Sequence, residues 1–455
     1  MSADAAPVGL TLRAVRRLLE GVIPPVMCTV SADKVPHVNY LSHAEYIDEE
    51  HVALTYQFLN RSRQNVLATG RVALCVEDPF TGTGVVMQLR YLRTDTEGPV
   101  FERLRAKLAG IAAQTGMEKV FHLRGADLYR VESLRQVDPR HPMPGLAPRC
   151  DLPTGLRRAS ARLAEADTLD ALLRAFTDAL QQDLRIDHAI LWLLDEQRRG
   201  LYTLASVGYP AGSTGAEVAL EDAGLSGVAL REGVPIRIGH MTQMYLYGMA
   251  WRVRAEKLGL QAVMAETIPL PGLATPRSQL AVPLRARGRA VGALLVESDR
   301  DQFFSYDDED ALTALCAQLA QALLALRAEE LADDGKPAAV APPAAAGTPL
   351  RVRHYPRDHS VFVGDQYLIK GVAGAILVRL VRQRIASGRE SFTTRELRLA
   401  GDDLGLPEVQ DNLGVRLLLL ERRLAERDFG LRIERTGRGH YRLCASGPLQ
   451  LDSEA

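Results

Sequence analysis

Three arginines surround two glycines in the stretch RTGRGHYRL near the end of the chain, and this arrangement could hold an anionic group. Gly437 and Gly439 can adopt positive φ angles without steric cost, which suits the tip of a β-hairpin. Arg435, Arg438 and Arg442 would extend from that tip, and guanidinium groups bind phosphate or carboxylate in a bidentate manner. A solvated hairpin has the same composition, so the surrounding elements must decide between the two interpretations.

The residues around this hairpin predict a small unit of strands and three helices. SVFVGDQYLIK alternates apolar and polar residues around a Gly-Asp turn, which predicts two strands. Helical spacing follows in GVAGAILVRLVRQRIAS, in FTTRELRLAG and in LPEVQDNLGVRLLLLERRLAERDFG. Residues 350–445 carry 18 Lys and Arg against 12 Asp and Glu, a net charge of +6, whereas residues 1–349 carry −5. This asymmetry favours a polyanionic partner for the C-terminal unit.

The third helix of this unit has two different faces. The face predicted to be core carries Val415, Leu417, Leu420 and Leu424. The opposite face, predicted to be exposed, carries Asn412, Arg416, Leu419 and Arg423. Asn and Arg side chains match the edges of adenine and guanine in the major groove, and Arg422 and Arg423 suit phosphate. A solvated charged face is the alternative, and some of the many leucines could instead form an interface.

Helix and hairpin together resemble the winged-helix effector domain of bacterial response regulators of the osmolarity-regulator type, over about the last hundred residues. VRLLLLERRL is similar to that family's recognition helix, and RTGRGHYRL is similar to its wing. The resemblance implies that the unit binds double-stranded DNA, with Arg438 on a phosphate or in the minor groove and Tyr441 packed on the core. A unit that binds protein instead of DNA stays open as an alternative.

The middle of the chain predicts a sheet flanked by helices. HAILWLLDE and GLYTLASVGYP predict buried strands, and SQLAVPLRARGRAVGALLVESD predicts a hairpin through Gly288. LAVPLRARGRAVGALLVES followed by FSYDDEDALTALCAQLAQAL resembles the GAF domain family, and the likeness extends over residues 154–331. It implies a central antiparallel sheet with a pocket on one face for a small-molecule effector.

A segment rich in Met, Tyr and Trp, HMTQMYLYGMAWRVRAEKLGL, interrupts this pattern. A lid of that composition suits an apolar or aromatic ligand. The predicted pocket residues are His240, Met244, Tyr247 and Trp251. Two alternatives stay open: a helix packed on the sheet with His240 as its cap, or a haem held by His240 with Met241 or Met244.

The last helix of the middle region has apolar residues three and four positions apart, which is the spacing of a short coiled-coil seam. These residues are Leu312, Leu315, Leu319, Ala322 and Leu326. The seam predicts a homodimer, which would present two winged helices to two half-sites. Packing against the region's own sheet would explain the same spacing.

The first part of the chain alternates through short strands in PPVMCTVSADKVPHVNYLSHAEYIDEEHVALTYQF. With NRSRQNVLATGRVALCVEDP it resembles the FMN-binding split barrel of the pyridoxamine-phosphate-oxidase-like superfamily, over most of residues 15–137. The resemblance places Arg61, Ser62 and Arg63, with Asn65 behind them, at the flavin phosphate, and His37, Asn39 and Tyr40 along the isoalloxazine. Guanidinium groups and a hydroxyl can clamp a dianion. FMN is therefore the predicted cofactor, with haem or an empty barrel as alternatives.

Two proline-containing segments separate these regions, and the predicted fold class is a multidomain α+β protein. Its parts are a split barrel at 1–137, a Pro-rich linker at 138–153, a GAF-like domain at 154–331, an Ala/Pro linker at 332–349 and a winged helix-turn-helix at 350–445. Fully extended, the second linker would reach roughly 55 Å. The arrangement predicts a transcriptional regulator; an FMN-dependent oxidoreductase is the alternative, although no convincing general acid or base accompanies the flavin residues.

Composition places the chain among ordinary globular proteins, since 47% of its 455 residues are apolar and 24% are charged. No apolar run approaches the ~20 residues of a membrane span, and the N-terminus lacks the order of a secretory signal. The five cysteines are scattered without a CxxC pair, which argues against a zinc site or a disulfide framework. We expect a cytoplasmic protein without a membrane partner.

Overall fold

The structure, a computed structural model, describes residues 10–20, 23–41, 43–56, 61–78, 81–113, 123–138, 149–195, 200–209, 217–240, 272–273, 275–332, 349–356, 359–364, 366–399, 413–425, 429–437 and 439–453. Within them the chain has a mixed α/β architecture of four sheets.

The N-terminal region, residues 10–138, forms a seven-stranded antiparallel sheet in the order β2-β1-β5-β6-β7-β4-β3. Its strands are β1 (Val26–Val30), β2 (Pro36–Tyr40), β3 (Ala44–Tyr46), β4 (His51–Tyr56), β5 (Arg71–Glu77), β6 (Gly84–Asp95) and β7 (Gly125–Gln136). Its helices are α1 (Leu12–Leu19), α2 (Arg61–Thr69) and α3 (Pro99–Ala113). Side chains alternate along a strand, so Val72, Leu74 and Val76 of β5 enter one core cluster with α1.

The middle region, residues 149–332, has a six-stranded antiparallel sheet in the order β10-β9-β8-β13-β12-β11. Its strands are β8 (His188–Asp195), β9 (Gly200–Val207), β10 (Glu217–Ala219), β11 (Ile236–Ile238), β12 (Ser278–Ala286) and β13 (Arg289–Ser298). Its helices are α4 (Leu152–Ala164), α5 (Leu169–Asp178), a π-helical turn (Ala179–Asp183), α6 (Gly224–Glu232) and α7 (Tyr306–Ala332).

Both faces of this sheet are buried, which explains the nearly continuous apolar run of β8. Leu191 and Leu193 face a cluster formed with α4, α5 and α7. Ile190 and Trp192 face a second cluster with α6, to which Ala106 of α3 also contributes. Helix α3 of the N-terminal region therefore packs directly on the middle region.

Helix α7 is the core helix of the middle region. By length and composition alone its stretch Tyr306–Glu329 could also cross a membrane, which the apolar runs in the sequence did not indicate. Its predicted coiled-coil residues Leu312, Leu315 and Leu319 are at most 1% exposed in the region's own core, and Ala322 and Leu326 pack against the same cluster. The spacing is therefore explained by intramolecular packing, and the homodimer stays a prediction.

The C-terminal region begins at Pro349 and contains two small sheets, in the orders β16-β15-β14-β20 and β17-β19-β18. The strands are β14 (Leu350–Tyr355), β15 (Ser360–Val363), β16 (Gln366–Ile369), β17 (Ser391–Thr393), β18 (Leu431–Gly437), β19 (His440–Ala445) and β20 (Leu449–Ser453). The helices are α8 (Gly371–Ser387), α9 (Thr394–Leu399) and α10 (Leu413–Ala425).

The hairpin predicted from RTGRGHYRL is present as β18 and β19. Gly437 pairs with His440, and Gly439 has a φ of 69°. Tyr441, predicted to pack the hairpin on the core, is 3% exposed. The turn residue Arg438 lies outside the described residues.

Two predicted boundaries differ from the structure. Helix α4 begins at Leu152, inside the expected linker 138–153, because Asp151 caps it by accepting a hydrogen bond from the Thr154 backbone N–H. The C-terminal region extends past 445, because β20 pairs in parallel with β14. That pairing joins segments about a hundred residues apart in sequence, so local patterning could not indicate it.

Candidate functional site

Helix α10 is buried on two sides, and each side belongs to a different region of the chain. Leu413, Leu417, Leu420 and Leu424 pack in the core of the C-terminal region. Val415, Leu418 and Leu419 pack in the core cluster of the middle region, beside α5 and β9. Of these residues, Leu419 was predicted from sequence to be exposed for base recognition, whereas Val415 was predicted to lie in the core of its own unit.

Arg416 is held at the centre of this contact. Its Nη2 donates to Oδ2 of Asp195 at the end of β8, at 2.9 Å, and its side chain is 5% exposed. Its guanidinium carbon lies 3.7 Å from the ring centroid of Tyr202 in β9. An ion pair and a cation–π contact thus satisfy this arginine within the chain.

A second ion pair lies further along α10. Arg422 donates to Oδ1 of Asp170 in the first turn of α5, at 2.7 Å from Nη2. Burial would raise the pKa of Asp170, but the hydrogen bonds from Arg422 and Arg174 outweigh it and lower the pKa. A polar cavity of about 360 Å³ adjoins the pair and is lined by Asp170, Arg174, Thr177, Ala205, Ser206 and Arg422.

The predicted DNA-contacting residues are therefore placed as follows. The expectation that Arg416 and Leu419 are exposed is wrong, since they are 4% and 1% exposed against the middle region. Val415, expected in the core of its own unit, packs instead in the core cluster of the middle region. Arg423 donates to the Leu368 carbonyl at 2.9 Å. Asn412 and Arg438 lie outside the described residues.

Sequence reasoning missed the acidic partners of this helix. Asp195 lies 221 positions from Arg416, and Asp170 lies 252 positions from Arg422. No local pattern marks such pairs. The one available signal was the number of leucines in α10, which exceeded what a single buried face requires.

In the N-terminal region, α2 packs against β1 and β2, so the predicted flavin residues do come from adjacent elements. Arg63, however, is occupied within the chain. Its Nη1 lies 2.5 Å from both carboxylate oxygens of Asp127, and its Nη2 donates to Thr94 at 2.6 Å. Its guanidinium also covers Tyr56, with 4.6 Å to the ring centroid. Burial would lower the pKa of Arg63, but the charge of Asp127 outweighs burial, so the pKa is raised.

The other predicted flavin residues divide into buried and open groups. Asn65 is buried and donates to the Thr29 hydroxyl at 3.1 Å, and the buried Ser62 hydroxyl has no hydrogen-bond partner among the described residues. Arg61, the first residue of α2, is exposed. On the edge strand β2, His37 and Asn39 are partly buried, while Tyr40 is 69% exposed.

These residues fit a flavin phosphate only in part. The Ser62 hydroxyl and the Arg61 guanidinium are suitable donors at the start of a helix. The clamp of two arginines fails, because Asp127 engages Arg63. The oxidoreductase alternative thereby loses one of the residues predicted to bind the flavin phosphate.

A buried carboxylate lies on the sheet of the middle region. Glu297 is 1% exposed and stands across from Gln279 on β12 and His188 on β8. It accepts hydrogen bonds from the Gln279 amide, the Tyr209 hydroxyl and the Leu273 backbone N–H, the last at 2.7 Å. Burial and the charge of Glu297 raise the pKa of Tyr209. These polar groups on a buried sheet are a feature that sequence reasoning did not single out.

His240 is 1% exposed, and its Nδ1 lies 3.5 Å from a carboxylate oxygen of Asp301. Burial lowers the pKa of His240 and outweighs the charge of Asp301, which would raise it. The other predicted pocket residues, Met244, Tyr247 and Trp251, and Met241 of the haem alternative, lie outside the described residues. Within the described part of the chain, no group of three or more His, Cys, Asp or Glu side chains could hold a metal ion.

Comparison with known proteins confirms one of the three resemblances. The family described as "GAF domain" matches residues 166–324. This stretch, which includes α5, β8 and β9, is called the GAF domain below. No curated protein matches the sequence of this chain.

Solved structures resemble separate parts of the chain. The GAF domain of an Acinetobacter phosphoenolpyruvate-protein phosphotransferase is 22% identical, with 39% of this chain and 96% of that chain covered and a TM-score of 0.31. The free methionine-R-sulfoxide reductase from Neisseria meningitidis in complex with its substrate is 18% identical, with 41% and 97% covered and a TM-score of 0.32. An FMN-binding protein from Syntrophomonas wolfei subsp. wolfei is 18% identical, with 28% and 86% covered and a TM-score of 0.25.

Proposed function

We propose that this chain is a cytoplasmic, DNA-binding transcriptional regulator whose C-terminal region is a winged helix-turn-helix. The observation that carries the proposal is the element order of that region: an initial sheet, α8, β17, α9, α10 and the β18–β19 hairpin, which pairs with β17 in one sheet. In such a unit the third helix enters the major groove and the hairpin contacts the backbone beside it.

Charge supports the same assignment. The stretch 350–445 carries a net charge of +6, in a chain whose net charge is −1. Arg432 on β18 is exposed, and Arg435 and Arg442 lie on the two strands of the hairpin. Positive charge on one unit of a nearly neutral chain is the electrostatic footprint of a nucleic-acid partner.

The two upstream regions would supply the input. The GAF domain would bind a small-molecule effector on its sheet, near Glu297 and Tyr209. The N-terminal region would add a second ligand, with FMN as the first candidate and haem or no cofactor as the alternatives. A second copy of the chain would place two winged helices on two half-sites.

Fluorescence anisotropy with labelled promoter-proximal fragments tests the proposal. We expect an affinity whose logarithm falls linearly with the logarithm of salt concentration, and Arg438→Ala should reduce that slope by about one unit. Arg289→Ala removes the same charge from an exposed position of β13 and should leave the slope unchanged. Equal slopes in the two variants would contradict the assignment.

A second candidate function is an intramolecular or intermolecular protein-binding module. The apolar side chains Val415, Leu418 and Leu419 on the side of α10 that faces the GAF domain favour it, since base-reading faces are usually polar. This candidate predicts that Arg438→Ala changes no binding property of the chain. The same anisotropy experiment therefore separates the two functions.

A further inference from the structure

The contact between α10 and the GAF domain covers the face that the proposed function needs for DNA. Val415, Leu418 and Leu419 enter the GAF core cluster, and Arg416 is 5% exposed between Asp195 and Tyr202. The same residues belong to the side of α10 that faces away from its own core. This side of α10 therefore cannot contact the GAF domain and DNA at the same time.

We propose that this contact is an autoinhibitory lock, in which the GAF domain occupies the recognition helix and keeps the chain from DNA until the contact opens. The inference rests on the proposed function, because it names the regulation of the same helix. The occupant of the face in the closed state is the GAF domain of the same chain.

Steric size makes the closed state incompatible with recognition. The major groove is about 12 Å wide and about 8.5 Å deep, so it admits one helix of about 10–12 Å diameter and little more. In the closed state β8, β9 and α5 lie against the helix face that would enter the groove. The guanidinium of Arg416 cannot reach a base edge while its donors face Asp195.

The acidic residues of the GAF domain take the place that DNA would take. Arg416 pairs with Asp195 and Arg422 with Asp170, so both ion pairs join an arginine of α10 to an aspartate of the GAF domain. Guanidinium groups can bind carboxylate and phosphate alike through two parallel N–H···O hydrogen bonds. A carboxylate partner therefore competes directly with the phosphate backbone.

One edge of this contact is also accessible to solvent. Arg422 and Asp170 are 27% and 25% exposed, and a polar cavity of about 360 Å³ lies beside them. One edge of the interface is thus polar and partly open to solvent. In the sequence, 16 residues rich in Ala and Pro (333–348) separate the two regions.

The β8–β9 hairpin links this interface to the other face of the GAF sheet. Asp195 and Tyr202 contact α10, while Trp192 lies in the cluster on the opposite face and donates from its indole to the Thr203 hydroxyl at 3.1 Å. The β8–β9 register shifts between Leu191 and Trp192. An effector that binds the opposite face of the sheet and moves this hairpin would change the surface that binds α10.

The test removes the GAF partners and leaves the C-terminal region intact. In the full chain, Asp170→Asn with Asp195→Asn should raise the affinity for a mixed-sequence duplex of about 30 base pairs at low salt by about tenfold or more. Asp307→Asn removes one negative charge from a 51% exposed position of α7 that pairs with Arg13 and Arg16 of α1, and should change affinity less than twofold, or about 0.4 kcal/mol. Hydrogen exchange of the α10 amides is measured in the same proteins.

Faster α10 exchange together with tighter DNA binding supports the lock. Faster exchange without DNA binding in any variant overturns the proposed function and the lock with it. Equal DNA affinity of the parent and the double variant, with α10 protected in both, overturns the lock alone and leaves DNA binding standing. If the double variant does not fold, Asp170→Asn alone, on the first turn of α5, carries the same comparison.

Discussion

Replacing Arg237 by methionine tests how firmly the N-terminal region is joined to the GAF domain. Arg237 of β11 is 2% exposed; its Nε donates to Glu309 of α7 at 3.0 Å, and its terminal nitrogens contact Glu20 at the end of α1. The guanidinium carbon also lies 4.1 Å from the ring centroid of Tyr306. One side chain thus connects three elements from two regions.

The expected loss follows from the two carboxylates left behind. Removing one partner of a buried ion pair costs about 3–5 kcal/mol, because the remaining charge stays buried without compensation. Glu20 and Glu309 would then face each other, and the cation–π contact would be lost with the guanidinium. For a region of this size 1 kcal/mol corresponds to about 2–4 °C, so the melting temperature should fall by about 10 °C.

Differential scanning calorimetry measures this change against a matched control. Arg90→Met breaks a pair with Glu132 in which both side chains are at least 40% exposed, and its cost should stay below about 1 kcal/mol. Adding Glu20→Gln and Glu309→Gln to the Arg237 variant should recover most of the loss. A melting temperature within about 2 °C of the parent for Arg237→Met would refute the reasoning.

Three further predictions concern stability and reactivity. Lys107 lies 2.8 Å from both carboxylate oxygens of the buried Glu45, so Lys107→Met should cost about 3–5 kcal/mol by calorimetry, and Glu45→Gln in the same chain should restore most of it. Burial would raise the pKa of Glu45, but Lys107 and a hydrogen bond from His43 outweigh it and lower the pKa far below its usual range. The pair therefore stabilises the folded chain above the unfolded pKa of about 4.3. The difference in free energy of unfolding between the parent and Lys107→Met should become smaller as the pH falls below that value. Gly208→Ala should lower the GAF melting temperature, because φ is +79° and the new Cβ would lie 2.0 Å from a backbone oxygen; an unchanged transition would count against it. Burial raises the pKa of Cys316, whose exposure is 0%, so this thiol should react with an aromatic disulfide reagent only after denaturation, as peptide mapping would show.

Elements whose signal is local could be predicted from sequence. The run HAILWLLDE is strand β8, His188–Asp195, and the hairpin through Gly288 is β12 with β13, where Gly288 has a φ of 78°. Alternation, apolar runs and turn glycines are properties of neighbouring residues, so a single sequence carries them. The GAF domain was recognisable for the same reason.

The candidate sites were harder because their residue types fit two kinds of contact. Arg63 was predicted to hold a phosphate, but it binds Asp127 and Thr94 instead. The sequence alone does not distinguish an arginine with a phosphate partner from one with a carboxylate partner. Only the sheet decides between them: pairing of β6 with β7 places Thr94 opposite Asp127. Register between strands about thirty residues apart is set by tertiary packing.

Helix α10 shows the same ambiguity, and under the proposed lock its two contacts would form in turn. A guanidinium that reads guanine or a phosphate is equally satisfied by an aspartate, so Arg416 and Arg422 cannot reveal from sequence which partner they meet. The apolar residues Val415, Leu418 and Leu419 add what DNA does not require, a surface that fits the GAF core. A face that combines arginines for an anion with leucines for a protein core is what the proposed alternation between DNA and the GAF domain would require. Chain composition agrees, because the acidic residues lie in excess over 1–349 and the basic ones over 350–445.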